Sequence, residues 1–424
     1  MNKPRLITQD KTAEKPKKVG IGWVYVPENF SEEDKATLGE LLEPAFCVFH
    51  LLHLFRVIKQ QSHDAWIDLA YDYCDHRIHN WRKTKTLLLD SGILERTKVT
   101  TDDYGLGIVV PRGQKGGQAY GYRFRDKKYR DATVRKVQIT NPTILDRLQK
   151  AINVKYTVQR WLVRHLQMVE ITDVPDEVLQ TAAQRSFIED RRRGTIEGRI
   201  AAYREQIRWI RDKSWFYEFD GRNRRMYSNI ASLTRELRPY LRVGGESLVE
   251  IDIKNSQPLF VGLMAKAAGV DCDEYLRLCE ADLYQHLADQ GGFTRSDVKR
   301  QLMKTALFSP NHARAQRLPV KRLFDRLFPA MADYIRQQKT GQKSKDDDRP
   351  HGRFAVKAQY EESKFIIHTV CERIRRERPD CWVGTIHDSI LVLPQDVEYV
   401  LAVMKEEFAR LGVSPRLEPR QPGT

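Results

Sequence analysis

Apolar residues recur at three- to four-residue steps between Glu32 and Asp90, through Leu38, Leu41, Leu42, Phe46, Phe49, Leu52 and Phe55 and again through Trp66, Leu69, Ala70 and Tyr73. That is the period of amphipathic helices. Trp81–Arg96 reads as a basic helix stopped by Gly92, in the position where glycine commonly ends a helix. A hairpin is expected next, from Val99 to Val110 and from Ala119 to Phe124, around the glycine-rich loop Arg112–Gly117. From Asn141 to Trp215 the period is helical again, with a charged segment from Phe187 to Lys213 that includes Arg191, Arg192 and Arg193. Two short apolar runs of β character stand apart, Val249–Ile253 and Val383–Val392, and a helix from Asp396 to Leu411 follows the second. The mixture predicts an α+β fold.

Each β run carries an aspartate, Asp252 in the first and Asp388 in the second. A buried carboxylate costs several kcal/mol unless it is paired or coordinated. Two of them invite a cation, and Mg²⁺ is the usual partner of carboxylates that handle phosphate. Taken singly, each aspartate also fits a strand end, one capping a turn and the other pairing with an arginine.

Charge narrows the choice. Lys and Arg number 72 against 57 Asp and Glu, for a net +15, which favours a phosphate backbone as partner with salt-sensitive affinity. Six cysteines spread over 424 residues make no disulfide framework, and a reducing cytoplasm is the expected location. No apolar run long enough to cross a membrane is expected, and the lysine-rich stretch 1–20 reads as a disordered arm without the apolar centre of a secretion signal. Gln337–Arg353, with no apolar period, reads as flexible.

Helices, a basic helix and then a hairpin with a cationic tip resemble a winged helix over 21–138. Arg82, Lys83 and Lys85 on the helix and Arg112 and Lys115 on the wing would meet nucleic acid; a wing used for protein contacts is the alternative. Cys47, His50, His53, Cys74, His76 and His79 gather in the same region, at spacings that fit no zinc finger well and suit packing better.

Three further stretches occur in order. Leu248–Leu259 is a strand turning into a helix, Arg300–His312 sets Arg300, Lys304 and Phe308 at steps of four, and Thr385–Ser389 places His387 and Asp388 between two β runs. Together they resemble motifs A, B and C of the family A DNA polymerases and their relatives, the phage-type single-subunit RNA polymerases. The resemblance covers Asp220 to Leu411, and its weight lies in the order of the motifs.

The resemblance implies a right-handed polymerase: a helical thumb-like segment at 139–218, palm at 219–264 and 351–424, and fingers with a flexible loop at 265–350. It implies that Asp252, the Ile253 carbonyl and Asp388 hold two Mg²⁺ ions, with Mn²⁺ as substitute. Arg300 and Lys304 would grip the triphosphate, Lys304 also serving as acid, while Phe308 and His312 lie by the base. Gln257 occupies the place of a glutamate that blocks the ribose 2′-hydroxyl, and Ser389 the place of the glutamate after His-Asp in DNA polymerases. Arg222, Arg225, Gln359 and His387 would face primer and template. A second register for the second motif uses Arg295 and Lys299.

The activity expected is a compact DNA-directed DNA polymerase, taking dNTPs and a DNA primer-template, without proofreading and without membrane contact. An enzyme that makes or primes with RNA and a catalytically silent replication initiator are the alternatives.

Overall fold

The computed structural model describes residues 22–97, 101–102, 109–110, 119–189, 194–308, 317–340 and 350–423. The chain divides into two compact units, one of Met1–His53, Leu69–Glu95 and Phe124–Ile152, the other of Leu54–Asp68, Arg96–Arg123 and Asn153–Thr424. Strand pairings are antiparallel in both, in keeping with the α+β reading. The N-terminal arm, the glycine-rich loop with Arg112 and Lys115, Arg191–Arg193 and residues 341–349 fall outside the described residues.

In the first unit, β1 (Trp23–Pro27) and β2 (Val134–Gln138) pair over five residues each. Helices α1 (Glu32–Leu38), α3 (Tyr71–Arg77), α4 (Trp81–Asp90) and α5 (Pro142–Ile152) belong to it, as does the Leu42–His53 part of α2 (Leu42–Ile58). Phe30, Phe46, Phe49, Phe124 and Tyr129 meet as an aromatic core. The expected absence of a membrane-length apolar run needs correction, because Glu32–Ile58 is long and apolar enough by composition. Most of that window is buried, which is how a core helix of a globular domain passes the same test.

The hairpin differs from expectation. Thr101–Asp102 pairs with Val109–Val110, whereas Gly121 pairs with Asp68 and Tyr122 with Ile67. Of the segment read as flexible, Gln337–Thr340 and Pro350–Arg353 are helical, and 341–349 lie outside the described residues.

The second unit begins with α6 (Thr157–Met168), α7 (Asp176–Glu189) and α8 (Ile196–Arg211), followed by the hairpin β3 (Tyr217–Phe219) and β4 (Met226–Ser228). Strand β5 (Val249–Ile253) leads into α9 (Ser256–Ala267), then α10 (Asp273–Glu280), α11 (Leu283–Gly291), α12 (Arg295–Gln301), α13 (Pro319–Leu327), α14 (Pro329–Thr340) and α15 (Pro350–Ser363). Strands β6 (Val383–Ile386) and β7 (Ser389–Val392), helix α16 (Val397–Arg410) and strand β8 (Leu417–Arg420) close the chain.

Four strands form one sheet in the order β6, β7, β5, β8. Helix α6 docks on its edge: Trp161 Nε1 donates to the Pro379 carbonyl at 3.0 Å, Trp382 Nε1 to the His165 carbonyl at 3.0 Å, and the Val383 N–H to His165 Nδ1 at 2.9 Å. Between β5 and α9 the backbone turns at Asn255, with φ 54°, a left-handed conformation asparagine tolerates better than most residues. Its amide donates to the Cys279 carbonyl at 3.0 Å, which ties α10 to the turn. Helices α9 and α10 close up at Gly262, where an added Cβ would lie 2.6 Å from Leu276.

Candidate active site

Two-residue hairpin closure sets the site. Ile386 pairs with Ser389, leaving His387 and Asp388 as the turn between β6 and β7. On the other side of β7, Asp252 pairs with Ser389. Cross-strand partners in an antiparallel ladder lie about 5 Å apart, so Asp388, one residue before Ser389, comes beside Asp252. His387 holds φ 53°, a conformation that is uncommon for a residue with a Cβ and costs on the order of 1 kcal/mol.

A third carboxylate joins the pair. Glu362 at the end of α15 is fully buried; it accepts from Ser256 Oγ at 2.8 Å, from Gln257 Nε2 and from Arg225. Burial, then the charges of Glu362 and Asp252, push the Asp388 carboxyl up to about 7. Burial also raises Asp252, opposed by Arg420 at 3.6 Å and Lys254 at 3.7 Å. A fourth acid, Glu250, is buried in β5 among Ser389 Oγ at 2.8 Å, the Gly423 N–H at 3.1 Å, Arg420 at 3.7 Å and Arg238 at 4.0 Å.

Sequence reasoning missed Glu250, Glu362, Arg238 and Arg420 as parts of this cluster. For Glu362 a signal existed: Phe354, Ala358, Glu362 and Ile366 succeed one another at steps of four and are all buried, so the glutamate interrupts an apolar stripe. A charge in such a stripe marks a residue with a buried partner.

The donor set suits a hard divalent cation. Burial first and then neighbouring negative charge hold the Asp388 carboxyl up, and a cation would relieve both. Two carboxylates with a strand carbonyl at Ile253 match the way Mg²⁺ is held, by one or two carboxylates plus water and phosphate oxygens. Among the described residues no cluster of three or more histidine, cysteine or acidic side chains is arranged around one point as a complete protein cage.

The hairpin β3–β4 brings cations alongside. Arg225 pairs with Glu362, Asn223 Nδ2 donates to Gln359 Oε1 at 3.0 Å, and Arg222 projects into solvent 3.8 Å from Asp220. Tyr227 meets the His387 ring at 6.0 Å. Burial, with Arg225 and Arg238 nearby, pushes His387 down to about 4, so it is neutral at ordinary pH.

Around α12 the two registers separate. Arg300 is exposed and pairs with Asp297 on its own helix. Lys299 is the weakest of the charges that favour ionised Asp252, after Arg420 and Lys254, and all of them oppose the upward push of burial. Arg295 bonds Asp282 at 2.9 Å, and Arg295 and Lys299 both stand over the Tyr284 ring, at 5.5 and 6.0 Å. Tyr284 in turn feels the charge of Asp388. Leu302–Leu307 is a π-helical turn, whose larger number of residues per turn moves Phe308 off the face that steps of four from Arg300 would define. Phe308 is half-buried with its ring 6.4 Å from Phe354. The Lys304 side chain and all of His312 lie outside the described residues.

Gln257 lies on the first turn of α9. Because a carboxylate only accepts, Glu362 fixes the amide with nitrogen toward it; Gln257 Oε1 is then buried with no hydrogen-bond partner.

In the first unit, Arg82 and Lys83 are exposed on α4, and Lys85 lies over the Tyr71 and Trp81 rings at 5.4 and 5.9 Å. Cys47, His50 and His53 are buried on α2, where the Tyr25 N–H donates to His50 Nδ1 at 3.3 Å and the Tyr25 ring packs on His53 at 4.8 Å. Burial pushes the Cys47 and Cys74 thiols up to about 12, which disfavours the thiolate a zinc ion requires. All six cysteines are free and buried.

No protein-family model and no curated protein matches the chain. Among solved structures it is similar to the POL domain of Pol1 from M. smegmatis, in complex with DNA primer-template and dNTP, at 14% identity and a TM-score of 0.38. The match covers 64% of this chain and 62% of that one, so the chain spans under two thirds of that domain. A likeness of that extent assigns no family.

Proposed function

We propose that the second unit is a template-directed nucleotidyltransferase that joins a dNTP to a primer 3′-hydroxyl, a compact DNA polymerase. The reading is supported above all by the register that sets Asp252 against Ser389 and so beside Asp388. Asp252, Asp388 and the Ile253 carbonyl would hold Mg²⁺, which when bound activates the attacking hydroxyl and shields the phosphates of the leaving group. Arg295 and Lys299, on one face of α12, are the cations best placed to bind the triphosphate, and Lys304 is retained as the group that protonates pyrophosphate. Asn223 and Gln359, bonded to one another, and Arg222 would orient the strand, while the left-handed turn at His387 holds Asp388 against Asp252. Arg82 and Lys83 on the first unit would grip nucleic acid through its phosphates.

One observation favours a second reading, synthesis of RNA: the orphaned Gln257 Oε1 is an acceptor suited to a ribose hydroxyl. Incubating the protein with a labelled primer-template, Mg²⁺ and either dNTPs or rNTPs tests both. Extension with dNTPs supports the first reading and extension with rNTPs alone the second. DNA binding without incorporation of either overturns both and leaves a silent initiator.

A further inference from the structure

The turn joining β3 to β4 carries an arginine in an unusual setting. Arg224 adopts φ 56°, held by its N–H on the Asp220 carbonyl at 3.0 Å and by the Arg225 N–H on Asn223 Oδ1 at 3.0 Å. Its guanidinium lies 5.5 Å from the Tyr156 ring centroid and 5.1 Å from that of Tyr360. Arg222 and Arg225 each pair with a carboxylate; among the described residues Arg224 has none. Tyr156, ahead of α6, is 41% exposed, and His368 meets it edge-on at 4.8 Å.

A cation between aromatic rings with no counter-charge, ending in an exposed tyrosine, is an open stack. An exposed tyrosine ring offers a flat apolar face with a polar tip. Nucleobases pile on such surfaces whatever their sequence, and a guanidinium both stacks and binds phosphate. The position is also informative. Tyr360 lies between Gln359 and Glu362 on α15, and Arg224 between Asn223 and Arg225, so both stacking groups are fastened to the acidic cluster by the Asn223–Gln359 and Arg225–Glu362 bonds.

We propose that Tyr156, Arg224 and Tyr360 form a stacking platform for unpaired bases of a single nucleic-acid strand running to or from the Asp252–Asp388 site. This rests on the reading of the second unit as a template-directed enzyme, and names where that strand lies before it is paired.

The full-length protein is titrated against fluorescein-labelled dT16, rU16 and a blunt 16-base-pair duplex in EDTA, which isolates binding from chemistry. Tyr156→Ala and Arg224→Gly are expected to weaken dT16 binding roughly tenfold, the scale of one lost stacked base, and to leave the duplex within about twofold. Glycine is favoured at φ 56°, so a loss in Arg224→Gly does not come from a broken turn. Tyr156→Trp should restore the affinity and Tyr156→Leu should not. Wild-type affinity in the alanine and glycine variants, full rescue by leucine, or a preference beyond about tenfold between dT16 and rU16 would overturn stacking. Primer extension by the wild type, run in parallel, separates the two claims. Extension with unaltered dT16 binding in the variants removes the platform alone, whereas lost dT16 binding without extension keeps the platform and removes the polymerase.

Discussion

Ser389 Oγ donates a 2.8 Å hydrogen bond to Glu250 Oε1, tying the residue after Asp388 to the residue two before Asp252. Both are buried. The acid that Ser389 meets comes from the neighbouring strand, not from the turn that carries Asp388. Ser389→Ala removes one donor from a buried carboxylate and should cost about 1–2 kcal/mol. Ser389→Glu sets a second charge against Glu250 and should cost more. Urea unfolding of the three proteins measures both, and a glutamate variant as stable as wild type would contradict the packing described.

Glu362 depends on Arg225. Removing one partner of a buried ion pair leaves the other uncompensated, at a cost of about 3–5 kcal/mol. Arg225→Ala should therefore lower the melting temperature by many degrees, and adding Glu362→Gln should recover much of the loss. A double variant no better than the single would show that the arginine acts elsewhere.

On α12, Lys299 acts on the charge of Asp252 while Arg300 is engaged with Asp297. The expectation is that Lys299→Ala raises KM for the nucleotide about tenfold or more, and Arg300→Ala changes it less than about twofold, a gap of about 1 kcal/mol. Steady-state kinetics on a primed template decides, and the reverse order would restore the Arg300 register.

Acid should weaken the fold. Burial pushes His165 down to about 4 while its Nδ1 accepts the Val383 N–H. The unfolded chain binds that proton near 6.5, so the stabilising contribution is present above pH 6.5 and is lost as pH falls to about 4. Asp388, raised to about 7, has the opposite slope in metal-free protein, its contribution being lost as pH rises. His387 and His368, also pushed down to about 4 by burial, act in the same sense, so His165→Asn, which keeps an acceptor for Val383, should remove only its own part of the acid-side loss, on the order of 3 kcal/mol. Melting temperatures from pH 7 to 4 report it; an unchanged profile would mean that His165 does not carry the effect.

The strands bearing Asp252 and Asp388 and the helices around them were legible because period and composition agree locally. Their antiparallel pairing followed from the demand that the two acids share ions. Arg225, Arg238 and Arg420 were not legible as partners of buried acids, since nothing local distinguishes a solvated arginine from one that reaches across about 140 residues to Glu362. The π-helical turn after α12 was not legible for a different reason: it changes which side chains share a face, and four-residue spacing presumes none. Gly262 shows the same limit, being one apolar position among many until α10 closes on it.

The most direct measurement is single-turnover primer extension in Mg²⁺ by Asp252→Asn, Asp388→Asn and the double variant, with primer-template affinity measured alongside. Each single substitution should slow extension by about 10³-fold or more, a loss of about 4 kcal/mol. The double should be hardly slower than the worse single, because the two acids act as one unit, and affinity should stay within a few fold. Extension at the wild-type rate by either single variant would contradict the account.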